Sequence, residues 1–344
     1  MASLELTNDT LQISRTSKHI NITRYVDGTV RGRVETVKVP FYDIDRVVVT
    51  GTPNITIPTL TSFMDEGIPV FFVTAHGRWR GSLTPDKNLN AARRIRQYEL
   101  GKDKDFSLKI AKALVYAKLR NCRRVLQRLA ANRGITQDND HQAACFEILR
   151  YANASVDSTD SVDVVRGYEG IGTAIYFQEL GRYFPVTMPF KTRSRRPPQD
   201  PANALLSWTY TIILGEVECA VRAHGLDAAL GHLHCDKSNT PSLSLDLIEP
   251  LRPAIADLLV LNIVNHHILK PDIHFEIRED DGGTYLNSEG RSVFFKSYEQ
   301  AMERRFSIGQ GYHNTDFRQV INEQVNIYLR ALERGEEPEF FELP

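Results

Sequence analysis

The spacing of hydrophobic and polar positions changes once along the chain. Up to about residue 84, short β-branched runs of strand length alternate with turn residues, most clearly at Arg46–Thr50 and Val70–Thr74. Between these two runs, Pro58–Met64 can form a short helix, because proline is well tolerated at a first helical turn. The segment Asn21–Val30 contains an Asp-Gly pair that is typical of hairpin turns. These patterns predict a small, mostly β domain.

Beyond about residue 86 the pattern takes on a helical period. Lys109–Arg133 repeats apolar residues every three or four positions. The next residue is Gly134, and glycine often ends a helix. Further helices are predicted over Asp157–Phe177, Asp200–Ala223, Ser242–Leu269 and Thr315–Leu332. The proline-rich stretch Phe184–Gln199 predicts a loop, and Phe275–Val293 predicts a small hairpin around an Asp-Gly-Gly turn. The boundary between the two parts is expected near Leu83–Asn88.

Composition limits the class of protein. The 344 residues suffice for two domains, and 42% hydrophobic with 25% charged residues is ordinary for a globular protein. No apolar run approaches the roughly 18 residues of a membrane span, and the N-terminus lacks the features of a secretory signal. Four widely spaced cysteines favour reduced thiols over a disulfide framework. We therefore expect a cytoplasmic protein that does not interact with membranes.

Charge is balanced overall but segregated along the chain. The net charge is −1, yet residues 88–134 hold thirteen Lys or Arg residues against three acidic ones. Acidic compensation lies elsewhere, for example in the glutamates between Glu333 and Glu342. Such a basic segment favours a nucleic-acid footprint, but a solvated pair of amphipathic helices fits it equally well.

Candidate chemistry concentrates in two stretches. His234 lies in a polar loop, and Asp246 and Glu249 follow three residues apart, so a helix would place both carboxylates on one face. Glu169 lies in a separate glycine-rich run. An imidazole and carboxylates that converge would suit Mn²⁺ or Mg²⁺, which prefer hard oxygen ligands.

Other interpretations of these residues remain open. Glu169 could interact with a helix dipole, and His234 could be a structural loop histidine. His232, His234 and Cys235 could begin a zinc site, although no second pair nearby completes a tetrahedron.

Three motifs in order resemble one known family. Tyr168–Phe177 and Gly231–Pro253 resemble the metal-binding core of the CRISPR adaptation integrase, the first-numbered family of the Cas proteins, and its type I-C branch in particular. Between them, Arg195–Ser207 resembles the same family's central helix entry. Thr50–Tyr98 also resembles that family's succession of strand, helix, strand and basic helix, including the turn at Ala75–Arg80. The resemblance covers most of the chain.

The resemblance implies a fold, a domain division and a metal site. The fold is expected to be α+β, with a β-sandwich-like domain over residues 1–85, used for dimerisation and partner docking, followed by a larger all-α catalytic domain over residues 86–344. The family's metal ligands correspond to Glu169, His234 and Glu249, which would bind Mg²⁺ or Mn²⁺; some members carry aspartate at the last position. Asp246 is expected to support these ligands from behind.

The predicted DNA-binding surface involves a second set of residues. Arg193, Arg195 and Arg196 could clamp phosphates, or could belong to a flexible solvated loop. Asn203 could contact a ligand or cap its helix. The full set of candidates is Arg78, Arg80, Arg93, Arg94, Arg193, Arg195, Arg196 and Asn203.

The resemblance implies integration of short DNA fragments. The protein would join 3′-hydroxyl ends of a double-stranded fragment to a CRISPR repeat by transesterification, as a homodimer that binds a small ferredoxin-like Cas partner. A metal-dependent, structure-selective endonuclease is the first alternative, because the attacking hydroxyl is not part of the protein. A non-catalytic DNA-binding scaffold is the second. The sequence does not indicate fragment length, repeat sequence or the physiological metal.

Overall fold

The computed structural model describes residues 3–6, 10–16, 18–25, 34–74, 79–85, 91–157, 161–234, 240–308 and 312–344. The Asp-Gly turn at 27–28, Arg78 with most of the turn at Ala75–Arg80, and Cys235 lie outside these ranges. So does part of the expected domain boundary, since residues 86–90 are not among those described.

Where the structure describes it, the N-terminal part contains two sheets and one α-helix. The strands are β1 (Ser3–Leu6), β2 (Thr10–Arg15), β3 (His19–Tyr25), β4 (Val34–Pro40), β5 (Arg46–Thr50), β6 (Val70–Val73) and β7 (Trp79–Leu83), and helix α1 spans Ile57–Asp65. One sheet has the order β1-β5-β6-β7, with β5 parallel to β1 and β6; the other is the antiparallel meander β2-β3-β4. Both sheets contribute to one apolar core, including Ile20, Val47 and Phe63 from α1. The β-sandwich-like prediction is confirmed.

The remainder is mostly helical. Its helices are α2 (Ala91–Gly101), α3 (Lys104–Arg133), α4 (Asn139–Asp157), α5 (Val162–Leu180), α6 (Pro201–Ala223), α7 (Ser242–Ile248), α8 (Leu258–Asn265), α9 (Pro271–His274), α10 (Ser288–Glu303) and α11 (Phe317–Arg334). Two short hairpins accompany them, β8 (Phe275–Ile277) with β9 (Thr284–Leu286), and β10 (Phe306–Ile308) with β11 (Tyr312–Thr315). The first of these hairpins is the one predicted at Asp-Gly-Gly. A single large core joins the helices.

Local signals explain where several helices start and stop. Asp200 caps α6 by accepting a hydrogen bond from Asn203 N, and Pro201 is the first helical residue, as the sequence predicts. Gly134 ends α3 in the left-handed conformation, with φ of 68°. The helix predicted from Lys109 starts earlier in the structure, because Asp103 caps a helix whose first residue is Lys104.

Two predicted helices are wrong in extent. Asp157 ends α4 and does not begin a helix, because α5 starts at Val162. The predicted helix over Ser242–Leu269 is broken after Ile248 and continues through a π-helical turn, Arg252–Asp257, before α8. Proline lacks the amide hydrogen that helix continuation needs, so Pro250 and Pro253 account for the interruption.

Helix α6 lies in the centre of the helical part. By length and composition it could cross a membrane, with a mean hydropathy of 1.3 over its most apolar window. Two thirds of that window is buried within the protein, and core helices pass the same test. Its apolar surface is therefore used for internal packing.

A buried ion cluster connects the N-terminal sheet to the helices. Arg46 on β5 is 2% exposed and its Nη2 lies 3.3 Å from Oε2 of Glu216 on α6. Oε1 of Glu216 accepts from Arg318 Nε at 3.1 Å and from Tyr298 OH at 3.2 Å, and Arg318 also pairs with Glu299. We call these five residues the junction cluster. It ties one strand of the N-terminal part to three helices.

The C-terminal segment, residues 336–344, runs back along α3. Phe340 and Phe341 are buried in the helical core. Glu342 pairs with Arg120 at 3.1 Å, and Glu337 pairs with Lys109 at 2.8 Å. The acidic segment thus lies against part of the basic stretch that the sequence places at residues 88–134.

Candidate metal centre and adjoining cleft

Helices α3 and α5 bring the first carboxylate to a buried lysine. Gly172 permits their close approach, because a Cβ atom there would come within 2.6 Å of Leu119 Cδ2. Three residues before Gly172, Glu169 extends toward α3, where Oε1 accepts a hydrogen bond from Lys118 Nζ. The glycine-rich run therefore serves a helix contact at Gly172.

Asp246 organises the loop that carries His234. Its carboxylate accepts hydrogen bonds from the backbone N–H groups of His232, Leu233 and His234, at 2.6, 2.9 and 2.9 Å. Gly231 lets this loop approach α7, since a Cβ atom there would meet Asp246 Oδ2 at 2.8 Å. Asp246 is completely buried. These bonds fix the path of the loop.

The same carboxylate orients the imidazole of His234. Oδ1 of Asp246 lies 2.8 Å from Nδ1 of His234, and an ionised carboxylate can only accept, so Nδ1 carries the hydrogen. Nε2 is then left with its lone pair, and it lies 3.9 Å from Oε1 of Glu249. This is the arrangement by which a carboxylate prepares a histidine to bind a metal.

Glu249 lies just beyond α7, between two cations. Its Oε2 is 2.6 Å from Lys118 Nζ, and its Oε1 accepts from Arg252 Nε at 3.0 Å. Because Lys118 also contacts Glu169, the two glutamates converge on one ammonium group. The structure therefore brings Glu169, His234 and Glu249 together, as the sequence predicts.

The donor set fits a hard divalent cation after a small rearrangement. Two ligand atoms about 2.1 Å from one ion lie roughly 3.0–3.4 Å apart at ordinary angles, compared with 3.9 Å between His234 Nε2 and Glu249 Oε1. Within the described ranges, no group of three His, Cys, Asp or Glu side chains is already arranged to hold an ion. Lys118 stands where the carboxylates meet, so its side chain would need to withdraw.

Electrostatics keep this centre charged despite its burial. Burial alone would raise the pKa of Glu249, but Arg252, Lys118 and His234 outweigh it and lower that pKa to about 2. Burial disfavours protonation of His234, yet its hydrogen bond to Asp246 and the charge of Glu249 leave its pKa raised. Burial is likewise outweighed at Lys118, whose pKa is raised by Glu249 and Glu169. Glu249 is thus ionised at neutral pH.

The centre opens into a cavity of about 750 Å³, which adjoins a basic cleft. Lys118, Glu169, His234, Glu249, Arg193 and Arg195 are among the residues lining the cavity. The neighbouring cavity, of about 1090 Å³, shares Arg193, Arg195, Tyr210 and Arg252 with it. Its lining contains six arginines and one acidic residue: Arg193, Arg195, Arg196, Arg252, Arg278, Arg291 and Asp281. We call this second cavity the arginine cleft.

Arg193 is positioned at the passage between the two cavities. Its guanidinium donates to Asn203 Oδ1, Ser207 Oγ and the Ser194 carbonyl, which are all uncharged acceptors. It also lies over the ring of Tyr210. Burial lowers the pKa of Arg193, since its charge is partly desolvated. Such a cation can form charge-assisted bonds with phosphate oxygens.

The other DNA-contact candidates occupy different positions. Asn203 is buried and uses its amide on Arg193, Ser194 N, Thr192 O and Asp200, so the prediction that it contacts DNA is corrected: it anchors the loop. Arg93 and Arg94 donate to the carbonyl oxygens of His224 and Gly225, and Arg93 also pairs with Glu333. Arg80 is exposed on β7, with Nη1 3.5 Å from Gly51 O. These three do not line the arginine cleft.

A buried carboxylate forms the inner wall of the cavity. Asp257 accepts hydrogen bonds from Tyr176 OH at 2.8 Å and Tyr210 OH at 2.5 Å. Burial raises the pKa of Asp257 to about 6, although both tyrosines oppose the shift. Arg252 lies over the ring of Tyr210 and also donates to Glu249, so a chain of contacts connects Asp257 to Glu249.

The zinc interpretation of His232 is not supported by its contacts. Nδ1 of His232 lies 3.0 Å from Ser107 Oγ, and Nε2 lies 2.9 Å from Tyr328 OH. Both nitrogens thus have hydrogen-bond partners, and the residue is 1% exposed. His232 is a packed core histidine.

Comparison with known proteins decides the family. The family model described as CRISPR associated protein Cas1 matches residues 4–300. The chain belongs to the Cas1 family. It is 31% identical over 295 residues to CRISPR-associated endonuclease Cas1 1 of Thermus thermophilus, with 85% of each chain covered. The prediction of an enzyme of the nuclease or integrase class is confirmed at the level of this family.

Solved structures show the same fold. A casposase bound to integration product superimposes with a TM-score of 0.76 at 21% identity, over 100% of this chain and 94% of that one. The partial Cas6-RT-Cas1–Cas2 complex superimposes with a TM-score of 0.75 at 21% identity, over 99% and 98%. The α+β prediction, a small β part followed by a mostly helical part, is thereby confirmed for this Cas1 protein.

Sequence reasoning missed Lys118 and Arg252 as members of the site. Lys118 lies within the apolar stripe of α3, four residues after Leu114 and seven before Val125. A lysine at a position that faces the core requires a buried partner, which is a usable signal. Arg252 lies within the Gly231–Pro253 motif, but no spacing rule marked it as a partner of Glu249.

Proposed function

We propose that this Cas1 protein is a metal-dependent integrase that joins the 3′-hydroxyl ends of short DNA fragments to a CRISPR repeat. The observation that carries the proposal is the convergence of Glu169, Glu249 and the free Nε2 of His234 at one end of a cavity that opens into the arginine cleft. A nuclease acting on water could use the same residues, and the experiment below separates the two.

Glu169, His234 and Glu249 would hold Mg²⁺ or Mn²⁺. The bound ion would lower the pKa of the attacking hydroxyl and offset charge on the scissile phosphate. Asp246 keeps the hydrogen of His234 on Nδ1, so the ligating nitrogen stays available. Arg252 would keep Glu249 ionised, which is the form that binds a cation, after Lys118 has withdrawn.

The arginine cleft is the proposed path for the DNA backbone. Arg193, Arg195 and Arg196 come from one loop between Tyr183 and α6, and Arg278 and Arg291 face the same cavity from the β8–β9 hairpin and α10. Phosphate groups lying in this cleft would lead directly to the carboxylates, because the two cavities share Arg193 and Arg195. Binding that neutralises phosphates in this way falls steeply with salt.

Assembly and placement in the cell belong to the same proposal. The structural likeness to a chain of the partial Cas6-RT-Cas1–Cas2 complex supports a small Cas2-type partner. The family resemblance of the sequence implies that this partner is ferredoxin-like. We propose a homodimer that uses the β-rich N-terminal domain, residues 1–85, for dimerisation and partner docking, in the cytoplasm. Arg78, Arg80, Arg93 and Arg94 remain predicted DNA contacts, secondary to the cleft.

A strand-transfer assay tests the proposal. A 3′-hydroxyl fragment is incubated with repeat-containing supercoiled DNA, Mn²⁺ and the small Cas partner. Wild type should give joined product, while His234→Ala and Glu249→Ala should lose at least about 100-fold in rate, because each removes a ligand of the catalytic ion. Arg193→Ala should retain Mn²⁺ binding but bind fragment DNA more weakly at low salt.

The controls separate the alternatives. Arg150→Ala, which removes an exposed arginine paired only within α4, serves as the matched control for Arg193→Ala. Nicking without joining, lost in both ligand variants, would favour the endonuclease. Firm DNA binding with no metal-dependent product would favour a scaffold and reject the proposal.

A further inference from the structure

A single buried amide joins the C-terminal segment to the turn that carries Glu249. Asn121 lies on α3, three residues after Lys118, and is fully buried. Its Nδ2 donates to the carbonyl oxygens of Pro250 and Phe341, each at 2.8 Å, and its Oδ1 accepts from Leu343 N at 2.7 Å. All three bonds join the side chain to backbone atoms of distant segments.

The turn at Pro250 lies where the helix is interrupted. α7 ends at Ile248 and the π-helical turn begins at Arg252, so the intervening backbone cannot rely on a continuous helical ladder. The carbonyl of Pro250 is satisfied by Asn121, and a buried carbonyl without a partner is unfavourable. Any shift of this carbonyl also moves the adjoining Glu249.

We propose that Asn121 is a positioning residue for the metal centre, which ties the Glu249 turn to the C-terminal segment and so holds Glu249 against Lys118 and Glu169. This inference rests on the proposed function, since it takes Glu249 as a metal ligand. Residues that support a ligand in this way typically change metal affinity by 10- to 100-fold when they are removed.

Gln324 provides a matched control within the same segment. It lies on α11, is fully buried, and accepts a hydrogen bond from Phe341 N at 2.8 Å. It therefore fastens the C-terminal segment at the same residue as Asn121, but it has no bond to Pro250. Asn121→Ala and Gln324→Ala should both lower the melting temperature.

Calorimetric titration with Mn²⁺ distinguishes the two variants. Asn121→Ala should bind Mn²⁺ at least tenfold more weakly than wild type, whereas Gln324→Ala should stay within about twofold of it. Equal affinity of Asn121→Ala and wild type would overturn the inference. So would an equal loss in Gln324→Ala, because docking of the segment as a whole would then explain the effect. Asn121→Ser, whose hydroxyl can serve only one carbonyl, replaces Asn121→Ala if that variant does not fold, and wild-type affinity in it would also overturn the inference.

Crystal structures of wild type and of the folded Asn121 variant supply a readout that needs no metal. The carboxylate of Glu249 should move away from Lys118 in the variant, and an unchanged position would overturn the inference. If wild type binds no Mn²⁺, the proposed metal function fails while these structures still decide the role of Asn121.

Discussion

Glu249 and Glu216 are buried carboxylates that are each held between two cations, in different regions of the molecule. Glu249 lies between Lys118 and Arg252, and Glu216 between Arg46 and Arg318. In both, burial alone would raise the pKa, and the neighbouring cations lower it instead. The local chemistry of the two carboxylates is therefore alike.

The two carboxylates differ in their charged neighbours and in the volume of the cavity beside them. In the junction cluster, two arginines face two glutamates, and the adjacent cavity is only about 40 Å³. At the candidate metal centre, Lys118 lies between Glu169 and Glu249, Arg252 pairs with Glu249, and Asp246 pairs with His234, beside a cavity of about 750 Å³. Converging carboxylates with open volume beside them leave room for an additional cation, whereas the junction cluster is closed.

The largest expected effect tests the structural half of this comparison. Glu216→Gln should destabilise the protein by about 3–5 kcal/mol, because it leaves Arg46 and Arg318 without their shared buried carboxylate. Chemical unfolding followed by circular dichroism measures the loss. Because its proposed metal ligands are intact, Mn²⁺ should stabilise this variant only as much as it stabilises wild type; a larger gain would erase the distinction between the two clusters.

A somewhat smaller effect tests the metal centre itself. Lys118→Met should destabilise the metal-free protein by about 3 kcal/mol, since Glu169 and Glu249 lose their common cation. An ion that binds only the folded state at about 100 times its dissociation constant returns roughly 2.7 kcal/mol. The melting temperature should rise more with Mn²⁺ in this variant than in Glu216→Gln, because the ammonium group that stands between Glu169 and Glu249 is gone. An equal response of both variants would contradict the comparison.

The smallest expected effect is the loss of stability as the pH is lowered. The pKa of Glu249 falls from an ordinary 4.5 to about 2 in the folded protein, so its charge stabilises the fold above pH 4.5 and that contribution is lost as pH falls toward 2. Wild type should exceed Glu249→Gln in stability at pH 5, and the gap should narrow by up to about 2 kcal/mol by pH 3. Urea unfolding at both pH values measures it. Glu216 is present in both proteins, so parallel losses would assign the acid response elsewhere.

Much of the fold follows from short sequence signals that the structure obeys. Asp200 with Pro201 fixed the start of α6, and Gly134 fixed the end of α3. The prediction of one continuous helix over Ser242–Leu269 is wrong for a simple reason. The helical spacing of hydrophobic residues continues through Pro250 and Pro253, but the backbone cannot continue as a regular α-helix there. The spacing of hydrophobic residues indicates which face of a helix is buried, whereas proline decides whether that helix continues.

The metal centre was predictable only in part. The motif indicated Glu169, His234, Asp246 and Glu249, and the structure brings them together. The role of Lys118 depends on contact between helices more than fifty residues apart, which no local spacing encodes. Asn203 illustrates the same limit, since the sequence allows either a ligand contact or a local role, and the structure shows its amide bonded to Ser194 N and Thr192 O inside the protein.

The course of the C-terminal segment has a consequence for how DNA would approach. With acidic residues of that segment set against Arg120 and Lys109, part of α3 is screened by the chain itself. In the cleft, Arg252 is paired with Glu249 but Arg193 bonds only uncharged acceptors, so positive charge is better exposed to a polyanion at the cleft than along the screened part of α3. The electrostatic field of the protein would orient a polyanion before contact. The backbone of the polyanion would then already point toward the carboxylates when the two molecules meet.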